Sequence, residues 1–176
     1  MMMKYTDLVI VLFIVYITGT VQCDELPVCD DGWFPFNNTC YLVNNIKSIS
    51  RSAAEAECSY YDSSLLQIDT SEQMDYLVSL MKMHPSSGYW TGLNDISRDI
   101  LQKKGTGIWK WGHFHPADET MIQWNLSPTN DGQSNCAGIN IQGKMEDRNC
   151  DSKQGFICKI GQMLEGCPLG WLETQD

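Results

Sequence analysis

The sequence lacks the patterns by which small secreted hydrolases and zinc proteins are recognised. It contains no Gly-x-Ser-x-Gly, no His-Glu-x-x-His and no Cys-x-x-Cys, and it has 3 histidines in 176 residues. Hydrolysis requires a nucleophile beside a base, or two carboxylates that face each other across a cleft. Glu146 and Asp147 are adjacent, so on a strand their side chains would diverge. We therefore expect no enzyme, and no zinc or thioredoxin-like site.

Positive charge is scarce in this chain. Lys and Arg number 12 against 22 Asp and Glu, which gives a formal net charge of -10. Nucleic acids and anionic membranes are bound by basic patches, so neither is expected as a partner. We interpret the acidity mainly as a source of solubility, although it would also suit cationic partners or a mineral surface.

Only one long apolar run occurs, from Leu8 to Ile17, with Lys4 ahead of it and Thr18-Gly19-Thr20 behind it. A run of this length suits the apolar region of a secretory signal peptide better than a membrane span. We predict a signal peptide over residues 1–23, cut after Cys23, with an uncut signal anchor as the alternative. Together with 8 cysteines, this signal predicts a soluble, secreted and disulfide-stapled mature protein without a membrane segment.

The first half of the mature chain predicts a hairpin and two helices. Cys29 to Val43 is typical of a β-hairpin, because aromatic and β-branched residues flank an Asn-Asn turn. A short helix is predicted to begin at the capping box Ser52-Ala53-Ala54-Glu55. A second helix is predicted from about Ser71 to Lys82, since apolar residues recur at helical spacing; candidates for its cap are Asp69, Thr70 and Ser71, and Pro85 ends it.

The second half predicts short strands around one long loop. The strand patterns are Tyr89–Leu93, Ile108–Trp111, Cys136–Ile141 and Gly155–Lys159. The loop between Trp111 and Cys136 contains prolines, glycine and several Asn and Asp, and a loop of this length inside one domain is usually functional. The order of elements predicts an α+β fold.

These strand patterns resemble those of the C-type lectin domain family, in its long form. Trp90-Thr91-Gly92-Leu93-Asn94 is similar to the family's central strand motif, Trp109-Lys110-Trp111 to its Trp-x-Trp element, and Phe156-Ile157-Cys158 to its closing strand. The resemblance runs from Cys29 to Lys159, so we assign residues 29–160 to one C-type lectin-like domain. It implies three disulfides, which are Cys29–Cys40, Cys58–Cys158 and Cys136–Cys150.

The resemblance also implies a calcium site on the long loop, where the ion itself receives a sugar. By position, the family's ligands fall on Ser127-Pro128-Thr129, on Ser134 and on Met145-Glu146-Asp147. Short hydroxyls therefore replace carboxylates at Ser127 and Ser134, and only Asp147 matches the family's ligand outright. A slip of one residue would bring in Asn130 and Asp131. The candidate ligand-binding residues are Ser127, Thr129, Asn130, Asp131, Ser134, Glu146 and Asp147, with Glu146 and Asp147 as the candidate metal ligands.

The function expected from this pattern is a secreted binding module that recognises a glycan or protein ligand through its long loop, without the standard calcium site. No cofactor is expected, with bound calcium as the alternative. Two other functions stay open: a calcium-dependent carbohydrate-binding lectin, and an acidic structural or matrix-associated protein. A haemostatic heterodimer is disfavoured, because such relatives carry a cysteine in the long loop and residues 111–135 have none.

Three minor patterns bear on the surface. Asn37-Asn38-Thr39 and Asn125-Leu126-Ser127 are glycosylation sequons, and Pro128 after the second disfavours its use. His113 and His115 have metal-like spacing but lack a third ligand nearby, so we interpret them as solvated. The tryptophans are expected to pack in the core rather than to stack on sugars.

The tail at residues 161–176 repeats the start of the domain. Cys167-Pro168-Leu169-Gly170-Trp171 has the same spacing as Cys29-Asp30-Asp31-Gly32-Trp33, so the tail is expected to begin a second domain of the same kind. Cleavage after Cys23 would leave Cys167 without a partner and able to link two chains in a dimer. If cleavage falls earlier, Cys23 and Cys167 would pair with each other.

Overall fold

The computed structural model describes residues 29–96, 108–112, 115–129 and 131–161. Within these ranges two helices and nine strands form an α+β domain, which confirms the predicted class. The helices are α1 (Arg51–Tyr60) and α2 (Ser71–Met83), and Glu119–Met121 forms a 3-10 turn. The strands are β1 (Phe34–Phe36), β2 (Thr39–Ile49), β3 (Ser64–Leu65), β4 (Tyr89–Asn94), β5 (Lys110–Trp111), β6 (His115–Pro116), β7 (Cys136–Ile139), β8 (Met145–Arg148) and β9 (Gln154–Gly161).

The strands form a mixed sheet in the order β1-β2-β9-β4-β5-β6. The first and last long strands lie side by side, since β2 pairs antiparallel with β9 from Thr39↔Gly161 to Ile49↔Gln154. β4 pairs parallel with β9 and antiparallel with β5 and β7. β8 then pairs only with β7 among the described strands, so the β7–β8 hairpin extends away from the central strands beside the long loop.

The amino-terminal hairpin forms as predicted. β1 pairs with β2 in the register Phe36↔Thr39, and Asn37 adopts a φ of 39° in the connecting turn. Asparagine tolerates this left-handed conformation better than most residues. β2 continues to Ile49, well beyond the predicted end at Val43; after a register shift beyond Asn44, Ile49 pairs with Gln154 of β9.

The predicted capping box of α1 is wrong. The helix begins at Arg51 rather than after Ser52, and its N-cap Ser50 makes no side-chain capping bond. Tertiary contacts fix this start: the Arg51 N–H donates to the Cys150 carbonyl at 3.0 Å, and its guanidinium donates to Glu55 at 3.2 Å and to the Gly92 carbonyl at 3.3 Å. A local sequence pattern contains no information about Cys150 or Gly92.

Helix α2 agrees with its prediction at both ends. The hydroxyl of its N-cap Thr70 accepts a bond from the Gln73 N–H at 3.1 Å, and the helix ends two residues before Pro85. Gln73 is buried, and its amide donates to the Tyr41 hydroxyl at 2.8 Å. The apolar face that packs on the sheet consists of Leu77, Leu80 and Met81, with Met74 and Val78 partly buried beside them.

The Trp-Thr-Gly-Leu-Asn strand is buried along its whole length. The indole of Trp90 is fully buried and donates to the Ile49 carbonyl at 2.8 Å. Gly92 allows close packing, because a Cβ there would lie 3.2 Å from the Leu65 carbonyl oxygen, closer than an ordinary contact. The Asn94 amide donates to the Gly112 carbonyl at 2.8 Å, which holds the start of the long loop against β4.

The three disulfides that the resemblance implies are present, as Cys29–Cys40, Cys58–Cys158 and Cys136–Cys150. The second joins α1 to β9 inside a core cluster that includes Trp90 and Phe156. The third closes the open end of the β7–β8 hairpin. Across the part of the chain that is described, no helix is long and apolar enough to span a membrane.

Candidate ligand site on the long loop

The β7–β8 hairpin carries the two acidic residues of the candidate site. Gly138 pairs with Glu146 and Ala137 with Asp147 along this hairpin. Because side chains alternate along a strand, Glu146 shares a face with Arg148, and Asp147 lies on the other face. β8 was not among the predicted strands, since Met-Glu-Asp-Arg has neither an apolar alternation nor β-branched residues.

Glu146 is surrounded by donors from three segments of the chain. Its Oε1 accepts hydrogen bonds from the side-chain amides of Asn125 and Asn140, each at 3.1 Å. Its Oε2 accepts from the guanidinium of Arg148. Burial acts to raise the pKa of this carboxyl, but the hydrogen bonds from Arg148 and Asn140 outweigh it and hold the pKa below its ordinary value. At neutral pH Glu146 is therefore an ionised acceptor with three protein donors.

Asp147 fastens the long loop to β8. Its Oδ2 accepts the backbone N–H of Thr129 at 2.7 Å and the hydroxyl of the same residue at 2.6 Å. A second connection lies nearby, where the Asn125 N–H donates to the Met145 carbonyl and the Met145 N–H to the Gln123 carbonyl, both at 2.8 Å. The loop thus runs beside β8 like a further short strand.

Asp131 organises the end of the loop. Its Oδ1 accepts the backbone N–H groups of Gln133 at 2.7 Å and Ser134 at 2.8 Å, and its Oδ2 accepts the Ser134 hydroxyl at 3.2 Å. The N–H of Gln133 and that of Ser134 lower the pKa of Asp131, with a smaller contribution from Thr129. Asp131 and Ser134 therefore form one turn, which Thr129 connects to Asp147.

The remaining candidates take up different positions. Ser127 is exposed, and the Ser127–Pro128 peptide is trans. Asn130 lies outside the described residues, as does His113, whereas His115 is exposed on β6. The sequon residue Asn37 is exposed at the tip of the β1–β2 hairpin. As expected, the core includes tryptophans, namely Trp90, Trp109 and Trp111, while Trp33 and Trp124 are half-buried.

A shallow cavity of about 260 Å³ lies over β8 and the neighbouring part of the long loop. It is lined by Asn125, Leu126, Glu146, Asp147 and Arg148. Leu126 is 78% exposed at its edge. Sequence reasoning missed the guanidinium of Arg148 and the amides of Asn125 and Asn140 as parts of this site. Arg148 follows Glu146 by two residues and shares its face on β8, but no local pattern had predicted a strand there.

The residues present do not fit the calcium site that the resemblance implies. Calcium takes roughly six to eight oxygen ligands, whereas the oxygens of Glu146 face two amides and a guanidinium. A second cation beside Arg148 would be repelled by it. Across residues 29–161, apart from the gaps in the described ranges, no group of three or more His, Cys, Asp and Glu could hold a metal ion.

Comparison with known proteins identifies the family of this fold and site. The model of the Lectin C-type domain matches residues 47–160, well over half of the chain. The chain therefore belongs to the C-type lectin domain family, and the resemblance seen in its motifs is confirmed. Domains of this family are binding modules without enzymatic activity, which confirms for this domain the expectation that it is not an enzyme.

Individual relatives are distant. C-type lectin domain family 4 member C from Homo sapiens is 28% identical over 142 residues, covering 78% of this chain and 62% of that protein. The secretory phospholipase A2 receptor from Mus musculus is 27% identical over 150 residues, which is 81% of this chain and 10% of the receptor. The chain spans 62%, 54% and 53% of the length of three curated relatives that are C-type lectin domain family 4 members.

Solved structures share the fold. The carbohydrate-recognition domain of the mouse scavenger receptor C-type lectin superposes with a TM-score of 0.64 at 25% identity, covering 77% of this chain and 98% of that one. A calcium-independent type II antifreeze protein superposes with a TM-score of 0.63 at 19% identity, covering 80% and 99%. A calcium-dependent type II antifreeze protein has the same fold, so the fold alone does not decide whether calcium binds.

Proposed function

We propose that this domain is a calcium-independent binding module whose ligand occupies the cavity over Glu146 and Arg148. The observation that carries the proposal is the set of donors around Glu146: protein amides and a guanidinium lie where a cation would have to bind. Those donors stabilise the loop and its carboxylates without metal, so the surface is already formed when a ligand arrives.

A glycan suits this cavity better than an apolar protein segment. Its lining combines two carboxylates, an amide and a guanidinium, which pair with hydroxyl groups, and one exposed apolar residue, Leu126. Two C-type lectin domains with the same fold were crystallised with glycans, one in complex with an N-glycan and one in the presence of a GlcNAc2Man3 oligosaccharide. A protein ligand is the alternative outcome of the test.

The test compares melting and glycan binding in millimolar calcium and in EDTA. We expect the same melting temperature in both. If calcium did bind the folded domain, at a hundred times its Kd it would add about 2.7 kcal/mol to the free energy of unfolding and raise the melting temperature. Binding on an array of glycans and candidate proteins should persist in EDTA and weaken in Arg148→Ala, but not in the control Asp151→Asn, which is exposed outside the cavity.

Two results would contradict this proposal. A rise of several degrees in calcium that Asp147→Asn abolishes would identify a calcium-dependent lectin instead. Ligand binding that Arg148→Ala leaves intact would place the site elsewhere on the domain.

We also propose that the protein is secreted after removal of residues 1–23. The support is the apolar run from Leu8 to Ile17 and the three disulfides, which form in oxidising compartments. Amino-terminal sequencing of protein from the culture medium should begin at Asp24, and a glycosidase should remove a glycan from Asn37. A chain that stays with the cell membrane and retains residues 1–23 would be a signal-anchored receptor.

The tail at residues 161–176 is proposed as the start of a second domain of the same kind, with Cys167 either unpaired or linking two chains. The six cysteines of the described residues pair among themselves, so cleavage after Cys23 leaves Cys167 as the odd cysteine. One titratable thiol, or a dimer that a reductant dissociates, is expected. A monomer without thiols that retains Cys23 would show that the two pair with each other.

A further inference from the structure

Three aromatic rings lie together on the surface at the end of α1. Tyr60 is 81% exposed and Tyr61 43% exposed, although both are large aromatic residues. The rings of Tyr60 and Tyr61 are 5.2 Å apart edge to face, and those of Tyr61 and Trp33 are 6.0 Å apart in the same manner. Contiguous exposed rings of this kind mark interaction surfaces more often than isolated ones do.

Exposed carboxylates flank these rings in both turns that carry them. Asp30 and Asp31 precede Trp33 in a turn closed by a 3.0 Å bond from the Trp33 N–H to the Asp30 carbonyl. Asp62 follows Tyr61 directly. We name this surface the aromatic–acidic patch, and it consists of Asp30, Asp31, Trp33, Tyr60, Tyr61 and Asp62.

Hydrogen bonds and disulfides hold the backbone of the two turns that carry the patch. The N–H and hydroxyl groups of Ser63 donate to the Cys58 carbonyl at 3.1 and 2.7 Å, and the Asp62 N–H donates to the Ser59 carbonyl at 3.1 Å. Each turn also adjoins a disulfide, through Cys29 in one case and Cys58 in the other. Little conformational entropy is therefore lost when a partner binds there.

Among the residues that the structure describes, no ion pair joins a cation to a carboxylate of the patch. Lys47, which lies close enough to Tyr61 for an electrostatic contact, is already paired with Glu57 at 2.9 Å. Because the Lys47–Glu57 pair has no net charge, the carboxylates of Asp30, Asp31 and Asp62 leave three negative charges beside the three rings. This combination suits a cation, because ammonium and guanidinium groups are attracted both to carboxylates and to the faces of aromatic rings.

The chain itself does not offer such a cation in the segments that adjoin the domain. Residues 24–28 and 162–176 contain neither Lys nor Arg, and both are acidic. These two segments therefore supply no cation to the patch.

We propose that the aromatic–acidic patch is a docking surface for an arginine-containing basic segment of a partner protein. Arginine is favoured over lysine since its planar guanidinium stacks on an aromatic ring while its N–H groups pair with a carboxylate. The patch uses residues 30–33 and 60–62, none of which belongs to the cavity at residues 125–148, so this inference does not depend on the function proposed above. A neutral glycan would stack on a ring and donate hydroxyl hydrogen bonds to the carboxylates, but it would lack the charge attraction that a guanidinium has to both.

The test measures binding of a labelled short oligo-arginine peptide by fluorescence anisotropy, with oligo-lysine and neutral oligosaccharides as the other probes. Tyr60→Ala should weaken oligo-arginine binding about tenfold. Tyr60 is so exposed that its loss should leave the melting temperature unchanged. The matched control is Ile108→Ala, since Ile108 is also an exposed apolar residue, at 66%.

The charge arm compares two double variants that remove the same net charge. Asp30→Asn with Asp62→Asn should weaken binding and flatten its dependence on salt, whereas Asp75→Asn with Asp151→Asn should not. Asp62 has a φ of 51°, which asparagine also tolerates, so the fold is kept.

Equal losses of peptide binding in both double variants would show that only the overall negative charge of the domain attracts the peptide. Binding of neutral oligosaccharides, but not of peptides, that Tyr60→Ala abolishes would make the patch a glycan platform. Either result would overturn the proposal.

Discussion

At the scale of single residues, the ion pair of Glu146 and Arg148 determines the electrostatics of the candidate site. Glu146 titrates below its ordinary pKa of 4.5 in the folded protein. A carboxyl with a depressed pKa stabilises the fold above that ordinary value, and this stabilisation is lost as the pH falls through the folded pKa. Replacing the guanidinium should therefore change both the pKa and the stability of the protein in acid.

The first prediction is that Arg148→Gln raises the pKa of Glu146 towards its ordinary value. Carbon-detected NMR titration of the Glu146 carboxyl measures the shift directly. As the pH falls below about 5, the free energy of unfolding should decrease less steeply in the variant than in the parent. Lys144→Gln is the control, because the Lys144 ammonium donates to Gln123 at 2.7 Å in the same hairpin. An identical pKa for Glu146 in both variants would mean that Asn125 and Asn140 alone lower it.

How far this site could be predicted differs from residue to residue. Glu146 and Asp147 could be assigned because their distance from Cys150 matches the family's second ligand triplet. The bond between Asp147 and Thr129 could not, since 18 residues separate the partners and the path of the long loop brings them together. The same holds for Asn125, which lies 21 residues from Glu146 and was noticed only as a sequon.

At the scale of elements, the two helices begin in physically different ways. The start of α2 is local, since the Thr70 hydroxyl accepts the Gln73 N–H at 3.1 Å. The start of α1 depends on a distant partner, because the Arg51 N–H donates to the Cys150 carbonyl. This difference explains why the sequence predicted the first turn of α2 and misplaced that of α1.

The second prediction follows from this contrast. Thr70→Ala should lower the free energy of unfolding by about 1 kcal/mol, the usual cost of losing an N-cap side chain. Ser50→Ala should change it by far less, because Ser50 makes no side-chain capping bond. Urea denaturation of the two variants beside the parent measures the difference. Equal losses would indicate that Ser50 caps α1 in solution.

Strand boundaries show the same division between local and distant causes. The predicted strand from Cys136 to Ile141 stops at Ile139, since the Asn140 side chain accepts the N–H groups of Gln142 and Lys144, both at 3.0 Å, and turns the chain. Asparagine and glycine at residues 140 and 143 gave a local signal for that turn. β8 had no such signal, because a polar strand is held only by its pairing with β7.

At the scale of the whole molecule, the domain is closed where its two ends meet. β2 and β9 lie side by side, and the Cys58–Cys158 disulfide joins α1 to β9 in the same region. The strand pairing brings together residues from 105 positions apart, at Ile49 and Gln154, to 122 apart, at Thr39 and Gly161, and the disulfide joins residues 100 positions apart. The resemblance to the family implied this disulfide, whereas the pairing of β2 with β9 was not predicted, because no local pattern identifies the partner of a strand.

The last prediction concerns how much each disulfide contributes to that closure. Cross-linking a chain removes entropy from its unfolded state, and the effect grows with the length of the loop that is closed. The Cys58–Cys158 loop spans 100 residues and the Cys136–Cys150 loop spans 14, which correspond to about 4.7 and about 3 kcal/mol. Replacing Cys58 and Cys158 by alanine should thus destabilise the domain by roughly 2 kcal/mol more than replacing Cys136 and Cys150. Secreted yield and urea unfolding of the two double variants measure this difference. If the shorter loop proved the costlier one to open, clamping of the β7–β8 hairpin, rather than closure of the whole domain, would be the main contribution of the disulfides to stability.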